Sequence, residues 1–209
     1  MYANNLVIGI HLSSGISGTV QSARLAVQMM DDNHIHIIDS LKASVGEGLM
    51  VLEAARMAQG GADVDTIIHR LEEMKRYLRC IFVVGNLDAL IKGGRLTKTR
   101  ALIADTLGIK PILHMEAHGK IVPLERARGH AGSINKLLDL MARLGRDLDS
   151  QTMGICHSAC YNDALYLQEQ MRERFRAREV IIGEIGPVIG SHVGPGTFSV
   201  FFAAKTPLY

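Results

Sequence analysis

Chemistry in this chain concentrates in His11-Leu12-Ser13-Ser14-Gly15-Ile16-Ser17-Gly18-Thr19, where four hydroxyls and two glycines follow the apolar run Leu6-Val7-Ile8-Gly9-Ile10. A strand that ends in such a loop and opens a helix makes an anion site, because unpaired backbone N–H groups and the positive helix end converge there. Glycines let a ligand approach the backbone, and hydroxyls add donors that rotate to meet it. The loop holds no lysine or arginine, which favours a singly charged group such as a carboxylate over a triphosphate. Gly15-x-x-Gly18 lacks the first glycine of the dinucleotide pattern, and the P-loop glycine-lysine pair is missing. Ser17 or Thr19 would serve equally as a helix cap. One hydroxyl suffices for a cap, so the surplus points to binding.

A second candidate lies near the other end of the chain, in the glycine- and proline-rich loop 186–196 around His192. A histidine at a strand end can donate to an anion, and a nearby carboxylate raises its pKa. It can equally be a turn histidine bonded to a local carbonyl, and the residues alone leave the two readings level. Together the loops offer a function of another class: a Ser–His hydrolase pairing Ser14 or Ser13 with His192 and a carboxylate such as Asp39 or Glu184. Against it, Gly15-Ile16-Ser17-Gly18-Thr19 departs from the Gly-x-Ser-x-Gly elbow at its last position, and no second loop reads as an oxyanion hole. Cys156-His157-x-x-Cys160 has neither the usual zinc spacing nor an evident fourth ligand, so no metal site is expected.

The elements that must position these loops follow from hydrophobic periodicity. Helices are expected over 20–30, from the loop 43–48 through Ala58, and over 64–78, 87–92, 97–107, 134–144 and 163–175. Strands are expected over 6–10, 34–40, 81–84, 153–157, 180–185 and 198–203, and a hairpin over 111–115 and 120–124. Strand–helix alternation in the first part implies a parallel sheet flanked by helices, with ligands at the carboxyl ends of its strands. The pattern changes near residue 79, so two α/β domains are expected, 1–79 and 80–209, the second on a mixed sheet with helices.

The bulk numbers exclude several classes. A net charge of +2 without a basic block, 5% aromatics and no tryptophan argue against nucleic acid as a partner. Three cysteines in 209 residues make no disulfide framework, which fits a reducing cytoplasm. Neither a membrane-spanning run nor a signal-peptide pattern is evident.

Five blocks, HLSSGISGTVQSA, IIDSLKASVGEGLMVLEAA, LIKGGRL, IKPILHMEAHGKIVPLERARG and EIGPVIGSHVGPGTFSVFF, together resemble the DegV family of bacterial fatty-acid-binding proteins. The resemblance implies two α/β domains with a long acyl chain between them and no catalysis by the chain itself. It implies a bound fatty acid as ligand, no cofactor, transient membrane contact and, in kinase-linked members, a separate fatty-acid kinase that phosphorylates the carboxylate. By the same resemblance the carboxylate-binding residues are Ser13, Ser14, Gly15, Ser17, Gly18, Thr19 and His192, and the partner surface carries Arg126 and Arg128. Arg95, in the Gly-Gly-Arg block, is expected to be solvated or structural. Nothing here matches the family's Thr-Ser-Gln-Pro block, so 1–79 is expected to be an incomplete N-terminal domain. A truncated scaffold that binds nothing is the remaining alternative.

Overall fold

The computed structural model describes residues 6–30, 33–97 and 108–208; the helix expected over 97–107 lies almost wholly outside them. Strand β1 (Val7–His11) and strand β2 (Ile35–Asp39) pair in parallel, linked by helix α1 (Thr19–Met30). Helices α2 (Val45–Gln59) and α3 (Val64–Tyr77) follow. The remaining strands are β3 (Leu78–Val83), β4 (Ile109–Met115), β5 (Ile121–Arg128), β6 (Thr152–Ser158), β7 (Glu179–Glu184) and β8 (Thr197–Ala203). They form one mixed sheet in the order β5-β4-β3-β8-β6-β7, antiparallel except for the β6–β7 pair. Helices α4 (Leu87–Lys92), α5 (Gly129–Leu144), α6 (Tyr161–Phe175) and α7 (Pro187–Val193) complete the described elements.

Alternation on the central strand β8 divides the core in two. Phe198, Val200 and Phe202 enter a core with Leu137, Leu138 and Met141 of α5 and Leu167 and Met171 of α6. Phe201 faces the other way, into a core with Leu49 and Met50 of α2, Ile67 and Leu71 of α3 and Ile38 of β2. Residues on both sides of position 79 therefore share this second core. Helix α2 lies close against the sheet because Gly154 has no side chain: a Cβ there would stand 2.4 Å from Val45 Cγ1. Helix α3 is the cleanest amphipathic segment, and Asp63 caps it by accepting the Thr66 N–H at 2.7 Å.

The register of β4 and β5 shifts between Ile112 and Leu113, which face Glu125 and Pro123. The extra residue is Leu124, and a one-residue bulge exchanges the faces of everything beyond it. Ile121 therefore packs into the core beneath α2, whereas Ala127 enters the core beneath α5. Two expectations are corrected here. The loop 186–196 contains a short helix, started by Pro187 and stopped at Gly194 with φ +74°. Helix α5 also begins five residues before the expected position 134, at Gly129, where the Ser133 hydroxyl donates to the Gly129 carbonyl at 2.8 Å.

Candidate functional site: a serine loop beside an apolar cavity

The serine loop is built by its neighbours. Ser40 N–H donates to His11 O at 3.0 Å, and Ser13 N–H donates to Lys42 O at 2.9 Å, which ties the end of β1 to the bend after β2. Ser14 N–H donates to Asp39 Oδ1 at 3.2 Å, and Leu41 N–H donates to the same oxygen at 3.0 Å. From the far side the β4–β5 hairpin turn supports the loop. Ser13, fully buried, donates its hydroxyl proton to Gly119 O at 2.8 Å and accepts the Gly15 N–H at 3.1 Å. Space there is minimal: a Cβ on Gly15 would stand 2.6–2.7 Å from backbone atoms of His118 and Gly119, and one on Gly119 2.0 Å from Ser13 Oγ.

These bonds revise the expected chemistry. The N–H groups of Ser13, Ser14, Gly15, Ile16 and Ser17 all have partners within the chain, so they do not form an open cradle of free donors. Ser17 accepts the Thr19 N–H at 3.3 Å and its hydroxyl pairs with that of Thr19 at 2.8 Å, which is the capping arrangement at the start of α1. Gly18 is exposed, with open space around it. Ser14 remains: its half-buried hydroxyl is the one in the loop without a hydrogen-bond partner among the described residues.

Ile16, two residues on, forms part of the wall of a cavity of about 70 Å³ whose lining is entirely apolar surface. Phe82, Met115 and Phe201 line it from the sheet, and Ile189 and Val193 from α7. Val193 immediately follows His192, whose Nδ1 lies against the end of α4, 2.4 Å from where a Cβ on Gly93 would stand. Arg95 links the parts: its Nε donates to Ile16 O at 3.1 Å and its Nη1 to Gly93 O at 2.6 Å. The serine loop and the His192 helix thus border one cavity, and Arg95 ties that loop to Gly93, against which His192 packs, although no hydrogen bond joins Ser14 to His192. Arg95 acts as a structural clasp on the protein surface.

The family described as "Uncharacterised protein, DegV family" matches residues 3–205 of this chain. The chain belongs to the DegV family. A DegV domain-containing protein of Clostridium perfringens is 36% identical over 204 residues, which cover 96% of this chain and 70% of that protein. A DegV family protein of Ruminococcus gnavus, described with vaccenic acid, superposes with a TM-score of 0.86 at 28% identity, covering 94% of this chain and 72% of that one. DegV of Bacillus subtilis, described as a fatty acid binding protein, superposes with a TM-score of 0.79 at 32% identity, covering 96% and 71%. The two-strand parallel sheet, the six-strand mixed sheet and their helices are the DegV architecture.

The other candidates fall as follows in this DegV chain. Arg126 and Arg128 are both exposed and stand on the same side of β5. The bulge at Leu124 decides which side: it sends Glu125 towards α5, where Arg143 and Lys136 bond it, and turns both arginines towards the cavity side of the sheet. Cys156 and His157 are buried and, as successive strand residues, point to opposite faces. Ser13, Ser14, His192, Asp39 and Glu184 form no hydrogen-bonded relay of side chains among the described residues; Asp39 serves two backbone N–H groups instead. Sequence reasoning missed two participants, the turn at His118 and Gly119 and the buried lysine Lys42. Lys42 is fully buried, its Nζ donates to Lys75 O at 3.0 Å, and burial pushes its pKa down to about 8. No local pattern could have announced the turn, whose contact with Ser13 spans 106 residues.

Proposed function

We propose that this chain binds a long-chain fatty acid, with the acyl tail in the apolar cavity and the carboxylate at Ser14, and presents that carboxylate to a separate kinase. The observation that carries the reading is an apolar cavity walled in part by Ile16, from the same loop that holds the one uncommitted hydroxyl, that of Ser14. Units 1–79 and 80–209 then contribute one loop each: the first supplies Ser13, Ser14, Gly15, Ser17, Gly18 and Thr19, and the second supplies His192. Of these, Ser14 is the hydroxyl donor, while Ser13 and Ser17 hold the loop in shape. Pockets for small ligands usually measure about 300–1,000 Å³, so the walls must part to admit the tail. Each methylene then buried contributes about 0.8 kcal/mol.

Replacing Ser14 with alanine is expected to weaken fatty-acid binding by about 1–3 kcal/mol, the loss of a hydrogen bond to a charged group. Titration with a long-chain acid and with its alcohol checks this, since the alcohol should lose less. Equal affinity of the Ser14→Ala variant for the acid would remove Ser14 from the site.

In the same reading Arg126 and Arg128 receive the kinase. Arginine offers planar, multidentate donors suited to the phosphoryl group being delivered, and as exposed charges the pair adds little to stability. The double alanine variant should melt and bind lipid as the unaltered chain does, yet be phosphorylated more slowly by an active kinase partner. Normal turnover would leave them as surface charges with no role towards a kinase. This is a carrier's role in the cytoplasm, without cofactor or nucleic acid, loading by transient contact with the membrane. No helix among the described residues is long and apolar enough to cross one.

A further inference from the structure

We propose that the cleft between α2, α3 and the loop 145–151 is a second ligand site, for a small monocarboxylic acid with an apolar body, separate from the cavity beside the serine loop. The cleft encloses about 260 Å³, against about 70 Å³ beside the serine loop. It therefore comes close to the span of about 300–1,000 Å³ usual for small-ligand pockets. Leu49 and Leu52 of α2, Met74 of α3 and Leu78 at the start of β3 give it apolar walls. It lies at the far end of β8 from the first cavity: Ala203 borders the cleft, whereas Thr197, Ser199 and Phe201 border the other. No described residue lines both.

The three arginines on its walls differ in what already holds them. Arg70 is bound by Glu53 and by Glu73, each at 2.8 Å. Arg56 donates to Glu179 at 2.8 Å and to Thr152 Oγ1 at 3.2 Å. Arg146 is different. Its Cζ lies 5.3 Å from the centre of the Tyr77 ring, so the ring supports the guanidinium from one face. The carboxylate paired with it, Asp147, stands 4.0 Å away and is exposed, a contact that water screens. Among the described residues the Arg146 guanidinium makes no hydrogen bond, which leaves its planar fork to a carboxylate from outside. The backbone beneath it is fixed. Arg146 N–H donates to Ala203 O at 3.0 Å, and the Gln151 side chain bonds both Arg146 O and the backbone of Ala203. Glu53 and Glu73, on the α2 and α3 walls, set the charge that fits: a monoanion is matched by Arg146, whereas a dianion meets their repulsion. One uncommitted cation beside apolar walls thus selects a small acid carrying one negative charge.

The test titrates the purified chain with phenylacetate and with phenylacetamide, which has the same shape without the charge. Phenylacetate should bind saturably with a Kd of about 1 mM or below, as a ligand of its size can, and the amide about tenfold more weakly. Arg146→Gln should weaken phenylacetate binding about tenfold or more. Its melting temperature should stay close to that of the unaltered chain, because the side chain is half-exposed. Arg146→Lys, which keeps the charge without the fork, should fall between the two. Saturation with a long-chain fatty acid should leave phenylacetate binding unchanged. Absence of saturable phenylacetate binding overturns the inference, as does undiminished binding by a folded Arg146→Gln variant or equal affinity for the amide. Competition between phenylacetate and the long-chain acid overturns it too, by placing the probe in the cavity beside the serine loop.

Discussion

Replacing Gly15 with alanine is expected to lower the melting temperature substantially and to abolish fatty-acid binding, although it adds a single methyl group. The atoms that methyl would meet, at 2.6–2.7 Å, are the backbone of His118 and Gly119, which cannot rotate away as a side chain would. Either the β4–β5 turn retreats, breaking the bond from Ser13 to Gly119 O, or the serine loop lifts and takes Ser14 with it. Overpacking of this kind costs about 1–3 kcal/mol, and in a chain of this size each kcal/mol shifts the melting temperature by about 2–4 °C. Gly18, three residues on and with nothing within 4 Å of its would-be Cβ, is the matched control. Gly18→Ala should stay within about 0.5 kcal/mol of the unaltered protein, as surface substitutions do. Thermal unfolding of both variants, followed by uptake of added fatty acid, checks the pair; equal behaviour would mean that the hairpin turn does not seat the loop.

The second large effect concerns pH. Lys42 titrates near pH 8 in the folded chain, against an ordinary value of 10.5. Between those values the unfolded chain binds more protons than the folded one, so stability contributed by this group rises with pH across the window. The Lys42→Met variant lacks the titration. Relative to the unaltered, lipid-free chain it should be most stable near pH 7, where the lysine buries a charge. That advantage should shrink by about 2–3 kcal/mol by pH 10. Denaturant unfolding of both proteins at pH 7, 8.5 and 10 isolates the difference, because groups remote from position 42 titrate alike in the two. A constant difference across the range would show that the ammonium is not desolvated. Such a profile describes a lysine buried at a cost in stability.

Legibility in the sequence followed the range of the interactions. Helix α3 was readable because Ile67 and Leu71 repeat at helical spacing and Asp63 caps it. The β4–β5 hairpin was readable because two apolar runs flank Ala117-His118-Gly119. Helix α7 carries a local signal, Pro187 at its first turn and Gly194 after its last, but the glycines on either side of it read as a loop. The start of α5 was obscured by Gly129-His130-Ala131-Gly132-Ser133, which shows no apolar period. The strand order, the bulge that turns Arg126 and Arg128 to the cavity side, and the seating of Ser13 on Gly119 all depend on partners distant in sequence. The hydroxyl-rich loop itself stood out, but which hydroxyl is committed did not. Capping by Ser17 is a local matter, whereas the commitment of Ser13 is decided 106 residues away. Lys42 reads as an ordinary polar loop residue until the layer beneath it is in place.

Native mass spectrometry of the purified chain tests the central claim most directly. The account predicts a peak heavier than the bare chain by the mass of one long-chain fatty acid, lost on denaturation and restored when such an acid is added back to the folded protein. A folded chain that runs at its bare mass and stays there in the presence of added fatty acid would contradict it.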